Sequence, residues 1–370
     1  MPRPTYAEVD LGAIRANVRA LRARLAADVH VMGIVKANAY GHGAVPVARA
    51  LEEEGVQMLA VALVEEGTAL RQAGIRTPIL VMGTMPADEV ATALHYDLQA
   101  TVDDAAAAEV LEHQAAACGQ SLAVHLKIDT GMNRLGVRAS DIRQAAATVA
   151  RMKHLVVEGA YTHFACADRE DGGELTSRQL KTFGQAMAAL EASKMSPRLV
   201  HTANSAAIVA LGSAHFNMVR PGLALYGIRP SSAARAVPLK PALSLKSRVV
   251  HLTRVARGEG VSYGHTWRAK RDSLLGLLPI GYADGYRRAL SNCGQGRVAG
   301  RLCPVVGTVC MDAILLDLTD LPQPRVGLDV TLIEADNDSP ISATAVAGQC
   351  GTIAYEILTG LSERVPRVYV

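Results

Sequence analysis

At 370 residues, the chain is long enough for two domains, one of them a barrel of about 250 residues. A formal net charge of +3 with no long basic run argues against a nucleic-acid partner, and no apolar run nears the roughly 20 residues that span a bilayer. Hydrophobic residues at 49% with aromatics at only 4% predict a core of Ala, Val, Leu and Ile.

After Asp10, a helical segment runs through Ile14, Val18, Leu21 and Leu25, apolar at spacings of three and four. An alternation follows, with strands expected at 30–36, 57–62, 78–83, 98–102, 122–129, 155–162, 198–202 and 217–220. Helical composition fills 44–54, 87–95, 103–117, 139–152 and 174–193 between them. Eight strands, each followed by a helix or helical turn, predict an α/β chain whose N-terminal part is a (β/α)8 TIM-like barrel. An open doubly wound sheet is the alternative, but Gly294, Gly296 and Gly300 have the wrong spacing for a dinucleotide fingerprint. Near residue 235 the texture changes to short alternating runs at 243–250, 274–280, 301–309, 313–318 and 329–333. The expected division is a barrel over 1–235 and a C-terminal mostly-β domain over 236–370.

The chemistry-bearing residues fall at the C-terminal ends of the expected barrel strands, where barrel active sites are built. Lys36 closes the first strand and a glycine-rich turn follows; a lysine there must be paired, neutralised or used. The fifth strand leads into Lys127-Ile128-Asp129-Thr130-Gly131-Met132-Asn133-Arg134. Lys127 and Asp129 share one face of that strand, and Val124, Leu126 and Ile128 share the other. The sixth ends at His163, the seventh at Asn204-Ser205, and the eighth runs into Arg220-Pro221-Gly222-Leu223. Barrels often bind phosphate at the loops after strands seven and eight, where Ser205 and Gly222 stand. Taken singly, His163 reads as a core histidine, Cys310-Met311 as packing, and Asp284 and Asp312 as turn residues.

Taken jointly, the segments resemble those of the alanine racemases that bind pyridoxal phosphate in a barrel. The resemblance rests on Val35-Lys36-Ala37-Asn38-Ala39-Tyr40-Gly41-His42-Gly43, on the Lys127–Gly136 run, and on Val261-Ser262-Tyr263-Gly264. Ile280-Gly281-Tyr282-Ala283-Asp284-Gly285, Gly307-Thr308-Val309-Cys310-Met311-Asp312 and Ala354-Tyr355-Glu356 continue it in order over nearly the whole chain. It implies an isomerase that interconverts L- and D-alanine by two-base α-proton transfer. Lys36 would carry pyridoxal 5'-phosphate as a Schiff base and act as one base, and Tyr263 would be the other.

The resemblance further implies that Arg220 faces the pyridine nitrogen and that His163 shares a chain of contacts with it. Tyr40, Ser205, Tyr355 and the backbone at Gly222 and Leu223 would contact the phosphate. Arg134 and the Met311 amide would hold the substrate carboxylate, and Lys127 would be a candidate for carbamylation. No metal is implied. Relatives are homodimers with the active site shared between subunits. At Thr308 some of them carry arginine near the entrance, with Arg288 and Asp168 its expected neighbours here.

The N-terminus lacks the apolar stretch of a signal peptide, and six scattered cysteines suit a reducing compartment, so a cytoplasmic enzyme is expected. A racemase of wider substrate range, a basic amino-acid decarboxylase and a non-catalytic cofactor-binding protein are the rival readings. Bulky Tyr355 and Met311 argue against the first, loose resemblance against the second, and residues 236–370 against the third.

Overall fold

The structure, a computed structural model, describes residues 3–370. The strands in chain order begin with β1 (Tyr6–Val9), β2 (His30–Ile34), β3 (Met58–Val61), β4 (Ile79–Val81) and β5 (Leu98–Val102). They continue with β6 (Leu122–Asp129), β7 (Val137–Arg138), β8 (Leu155–Tyr161), β9 (Leu199–Asn204) and β10 (Met218–Arg220). By compactness, Ile14–Ala39 and Ala44–Leu239 form one unit, while the segment ending at Ala13, Tyr40–Gly43 and Lys240–Val370 form another.

The first unit is a closed parallel barrel. Its strands run β5-β4-β3-β2-β10-β9-β8-β6, and β6 pairs back onto β5 at Ala100↔Val124 and Val102↔Leu126. All eight expected strands lie in it, shifted by no more than two residues at either end. Strands buried on both faces need no alternation, which is why β3 and β4 are buried at every position. β7 lies outside the ring and pairs with the end of β6. Helices Ala44–Glu53, Val64–Gln72, Ala105–Ala117, Ile142–Val149 and Gly173–Ala192 follow strands around it.

Polar side chains cross the barrel interior. The two-residue period of β6 puts His125 and Lys127 on one face, and both are buried. Gly159 in β8 makes room, because a Cβ there would lie 2.3 Å from His125 Nδ1.

The second unit comprises β1 and the remaining strands: β11 (Leu243–Arg248), β12 (His251–Val255), β13 (Gly260–Val261), β14 (Trp267–Arg268) and β15 (Ser273–Leu278). β16 (Gln295–Val298), β17 (Arg301–Pro304), β18 (Ile314–Asp317), β19 (Asp329–Ile333) and β20 (Arg367–Tyr369) complete it. A six-stranded sheet runs β17-β16-β19-β11-β1-β20, with a three-stranded sheet β12-β15-β18 and the pair β13-β14. Val255, Val261, Ala269, Leu275 and Val306 form a core cluster against Trp267 and Leu315. Two short helices, Ala343–Gln349 and Ala354–Thr359, make this unit less purely β than the run of strands foretells.

Local chemistry explains where the elements depart from expectation. The first helix starts after Asp10 as expected, where Asp10 Oδ1 accepts from the Ala13 N–H at 2.8 Å and caps it, but it ends at Arg22, short of Leu25. The run expected over 301–309 stops at Pro304, a residue with no N–H to extend the ladder. β1 is absent from the sequence reading; it pairs antiparallel with β11 and parallel with β20, both distant in sequence.

Candidate active site

Lys36 lies two residues beyond the end of β2 at Ile34, and the backbone after it is unusual. Ala37, Asn38, Ala39 and Tyr40 all take left-handed conformations, with φ of 51°, 52°, 52° and 53°. A left-handed turn of non-glycine residues costs about 1–2 kcal/mol per residue, so its surroundings must hold it. Ala39 N–H donates to Val35 O at 2.9 Å, and Asn38 Oδ1 accepts from the Ala44 N–H at 2.7 Å at the start of the next helix. Ala37 N–H donates to Glu66 Oε1 at 2.6 Å. The Lys36 amine is held below its ordinary pKa by burial first and by Arg134 second, with Glu66 pulling the other way.

Arg220, at the end of β10, is buried. Its Nη1 donates to His201 O at 2.6 Å, and its Nη2 to Thr162 O at 2.6 Å and Thr202 O at 3.2 Å. Burial lowers its pKa to about 10, so it stays charged at neutral pH. An arginine N–H can only donate, so the 3.1 Å contact from Nη1 makes His201 Nδ1 an acceptor and puts the proton of neutral His201 on Nε2. That proton faces His125 Nδ1 at 2.8 Å, and His125 Nε2 faces Gln99 Oε1 at 3.0 Å. The result is a one-directional chain from Arg220 through His201 and His125 to Gln99. Tyr161 stacks on His201 with ring centroids 4.9 Å apart, beneath the Arg220 guanidinium at 5.2 Å.

Burial, then the charge of Arg220, lowers His163 to about 3, with Arg134, Lys127 and Lys36 adding to the effect. It is therefore neutral, and its Nδ1 stands 3.4 Å from Arg220 Nη2. Lys127 is also buried, and desolvation followed by Arg134 lowers its pKa to about 8. Asp103 opposes that shift; its Oδ2 accepts from Thr84 Oγ1 at 2.5 Å, while its buried Oδ1 has no hydrogen-bond partner among the described residues. Four cations, Lys36, Lys127, Arg134 and Arg220, thus bear on one imidazole.

A cavity lined by Lys127, Asp129, Met132, Arg134, Thr162 and His163 opens beside them. Asp129 Oδ1 accepts from the N–H groups of Gly131, Met132 and Asn133 at 2.9, 3.0 and 3.1 Å, which folds the loop that carries Arg134. Gln179 braces this rim, accepting from Ala165 N–H at 3.0 Å and donating to His163 O at 3.1 Å and Thr130 Oγ1 at 3.2 Å. Ser205 Oγ accepts from Gly222 N–H at 2.9 Å and Ala224 N–H at 3.2 Å, so Ser205, Gly222 and Leu223 share one corner.

The remaining expected residues lie in the other unit. Tyr40 and Tyr355 approach with ring centroids 5.6 Å apart, and burial followed by Tyr355 raises the Tyr40 phenol. Gly41 beside them is needed as glycine, since a Cβ would fall 2.2 Å from Leu358 O. Tyr263 is 72% exposed, and its carbonyl accepts from Thr308 Oγ1 at 2.8 Å. Ser262, with φ of 61°, donates to Thr308 O at 2.7 Å. Met311 is exposed, and its carbonyl accepts from Ala283 N–H at 3.1 Å. Thr308 is buried, and its hydroxyl is spent on the Tyr263 carbonyl.

The sequence reading gave no role to Glu66, Asp103, His125 or Gln179. The inward period of β6 could have found His125, two residues before Lys127; nothing local marks the other three.

Residues 9–230 match the family model for the alanine racemase N-terminal domain, and residues 242–369 that for the C-terminal domain. The chain is 43% identical over 368 residues to the alanine racemase of Halothermothrix orenii, covering 99% of this chain and 97% of that one. Among solved structures, the alanine racemase of Clostridium difficile 630 superposes with a TM-score of 0.95 at 36% identity, covering 100% of this chain and 96% of that one. That of Bacillus anthracis, solved with bound L-Ala-P, gives 0.93 at 39% identity, with coverages of 100% and 96%. The chain belongs to the alanine racemase family.

Proposed function

We propose that the protein interconverts L- and D-alanine, with pyridoxal 5'-phosphate held covalently at Lys36. The observation that carries this reading is the buried Arg220 guanidinium, held by carbonyls and imidazoles, with Lys36, kept below its ordinary pKa, bearing on the same His163. The cationic excess of Lys36, Lys127, Arg134 and Arg220 fits a dianionic phosphorylated group, and Ser205, whose Oγ accepts from the Gly222 and Ala224 N–H groups, keeps its own O–H to donate to a phosphate at that corner. Tyr40, Leu223 and Tyr355 join that phosphate set in this reading. When bound, the cofactor supplies an electron-withdrawing system that takes up the charge left as the α-proton departs.

The chain's own residues do the rest. Arg134 holds the substrate carboxylate, aided by the Met311 amide. Lys36 Nζ takes or returns the α-proton on one face, and the Tyr263 hydroxyl does so on the other. Arg220 keeps its proton and would face the cofactor's ring nitrogen, which would then stay unprotonated and curb transamination. Neutral His163 accepts from Arg220 and links that contact to the rim.

Lys127 is a candidate for carbamylation. With a pKa of about 8, roughly a quarter of it is the neutral amine at pH 7.5. That amine can add carbon dioxide and lose a proton, which turns a positive neighbour of Arg134 negative. A homodimer sharing its active sites, and a cytoplasmic home consistent with six free thiols, complete the reading.

The test is incubation of the purified protein with L-alanine in heavy water. D-alanine carrying deuterium at the α-carbon is the expected product. Exchange without inversion would remove Tyr263 from its role, and the absence of both exchange and inversion with cofactor bound would overturn the reading.

A further inference from the structure

The geometry points to Glu66 as a positioning residue that aims Lys36 by clamping the left-handed turn after it. The inference rests on the reading of Lys36 as the catalytic lysine. Glu66 lies in the first turn of the helix Val64–Gln72, 29 residues beyond Ala37 in sequence. Its carboxylate serves two segments at once. Oε1 accepts from the Ala37 N–H at 2.6 Å, and Oε2 accepts from the Ala62 N–H at 2.7 Å and the Leu63 N–H at 3.3 Å.

A helix cap alone would not need this arrangement. The reach-back bond to Leu63 is the half of a capping box that a third-position glutamate supplies, and it is the longest of the three. The shorter bonds leave the helix: one goes to the loop after β3, the other to the residue that follows Lys36. Ala37 opens four consecutive left-handed residues, and its N–H is fixed by this carboxylate. Val35 N–H donates to Ala60 O at 2.9 Å on the other side of Lys36. Lys36 therefore sits between two backbone anchors, one supplied by the β2–β3 ladder and one by Glu66. The carboxylate also opposes the effect of Arg134 on the Lys36 amine.

E66Q keeps the side-chain shape but turns one acceptor oxygen into a donor. Whichever way its amide rotates, a donor meets either the Ala37 N–H or the Ala62 and Leu63 pair. The experiment compares wild type, E66Q and E66D by racemase kinetics and by amide hydrogen exchange of residues 35–43, on the full chain with and without pyridoxal 5'-phosphate. The expected result is a kcat reduced by about ten- to a hundredfold with KM nearly unchanged, since misplacing a reacting group acts on the chemical step. Exchange of residues 37–39 rises about tenfold in both forms, while the helix Gly173–Ala192 exchanges as in wild type.

Unchanged exchange at 37–39 in E66Q overturns the clamp. Faster exchange with an unchanged kcat also overturns the proposal, leaving Glu66 as a helix cap. E66D keeps the charge but is one methylene too short to span both segments; it shows the same changes, and it replaces E66Q should that variant not fold. If wild type itself lacks racemase activity while exchange responds to E66Q, the reading of Lys36 fails and the clamp stands.

Discussion

Acidification strikes the barrel at three buried histidines. Burial, then Arg198 and Arg220, lowers His125 to about 3; burial and Arg220 do the same for His163; and His201 lies well below its free value of 6.5 through burial, Arg220 and His125. All three are neutral in the folded chain near neutral pH but protonate at 6.5 once unfolded. The unfolded state then binds more protons, so stability is fully present above 6.5 and falls as pH drops below it, down to about 3.

One unit below the free value, each histidine lowers stability by about 1.4 kcal/mol, or about 4 kcal/mol for the three between pH 7.5 and 5.5. That is a large share of the 5–15 kcal/mol typical of native proteins. Urea unfolding at pH 7.5, 6.5 and 5.5 measures the loss, and the pH slope gives the protons taken up. In His125→Leu the uptake at pH 5.5 should be smaller by about one proton, however much the substitution costs in absolute stability. An identical slope in wild type and variant, or a folded-state His125 resonance titrating near 6.5, would refute the reasoning.

The remaining predictions concern the chemistry. Chains carrying Lys36→Ala and Tyr263→Ala should each be inactive, and mixing them restores activity in a hybrid dimer only if the tyrosine acts across the subunit boundary. Arg220→Glu should lower racemisation and let transamination appear, detectable as pyruvate formed from alanine; absence of pyruvate rejects the role given to the guanidinium. Thr308→Val removes the donor to the Tyr263 carbonyl, a neutral hydrogen bond worth about 1 kcal/mol. It should lower kcat several-fold with little change in KM, and an unchanged kcat would mean that this bond does not hold the tyrosine.

Much of this protein was legible along the chain. Short apolar runs alternating with helical segments marked all eight barrel strands, because strands buried on both faces carry their signal in composition. The ordered segments around Lys36, Tyr263 and Met311 were enough to identify the family that full-length comparison shows. β1 escaped notice because four residues make a weak signal and its partners, β11 and β20, lie at the far end of the chain.

What the sequence determined, then, was the order of strands and helices and the side chains offered at the strand ends, since both depend on local pattern. What only the tertiary structure decided was pairing. The bond between His125 and His201 spans 76 positions, and that between Glu66 and Ala37 spans 29. A histidine's tautomer or a carboxylate's partner is fixed by whatever the closed barrel brings within about 3 Å, and no local period encodes that.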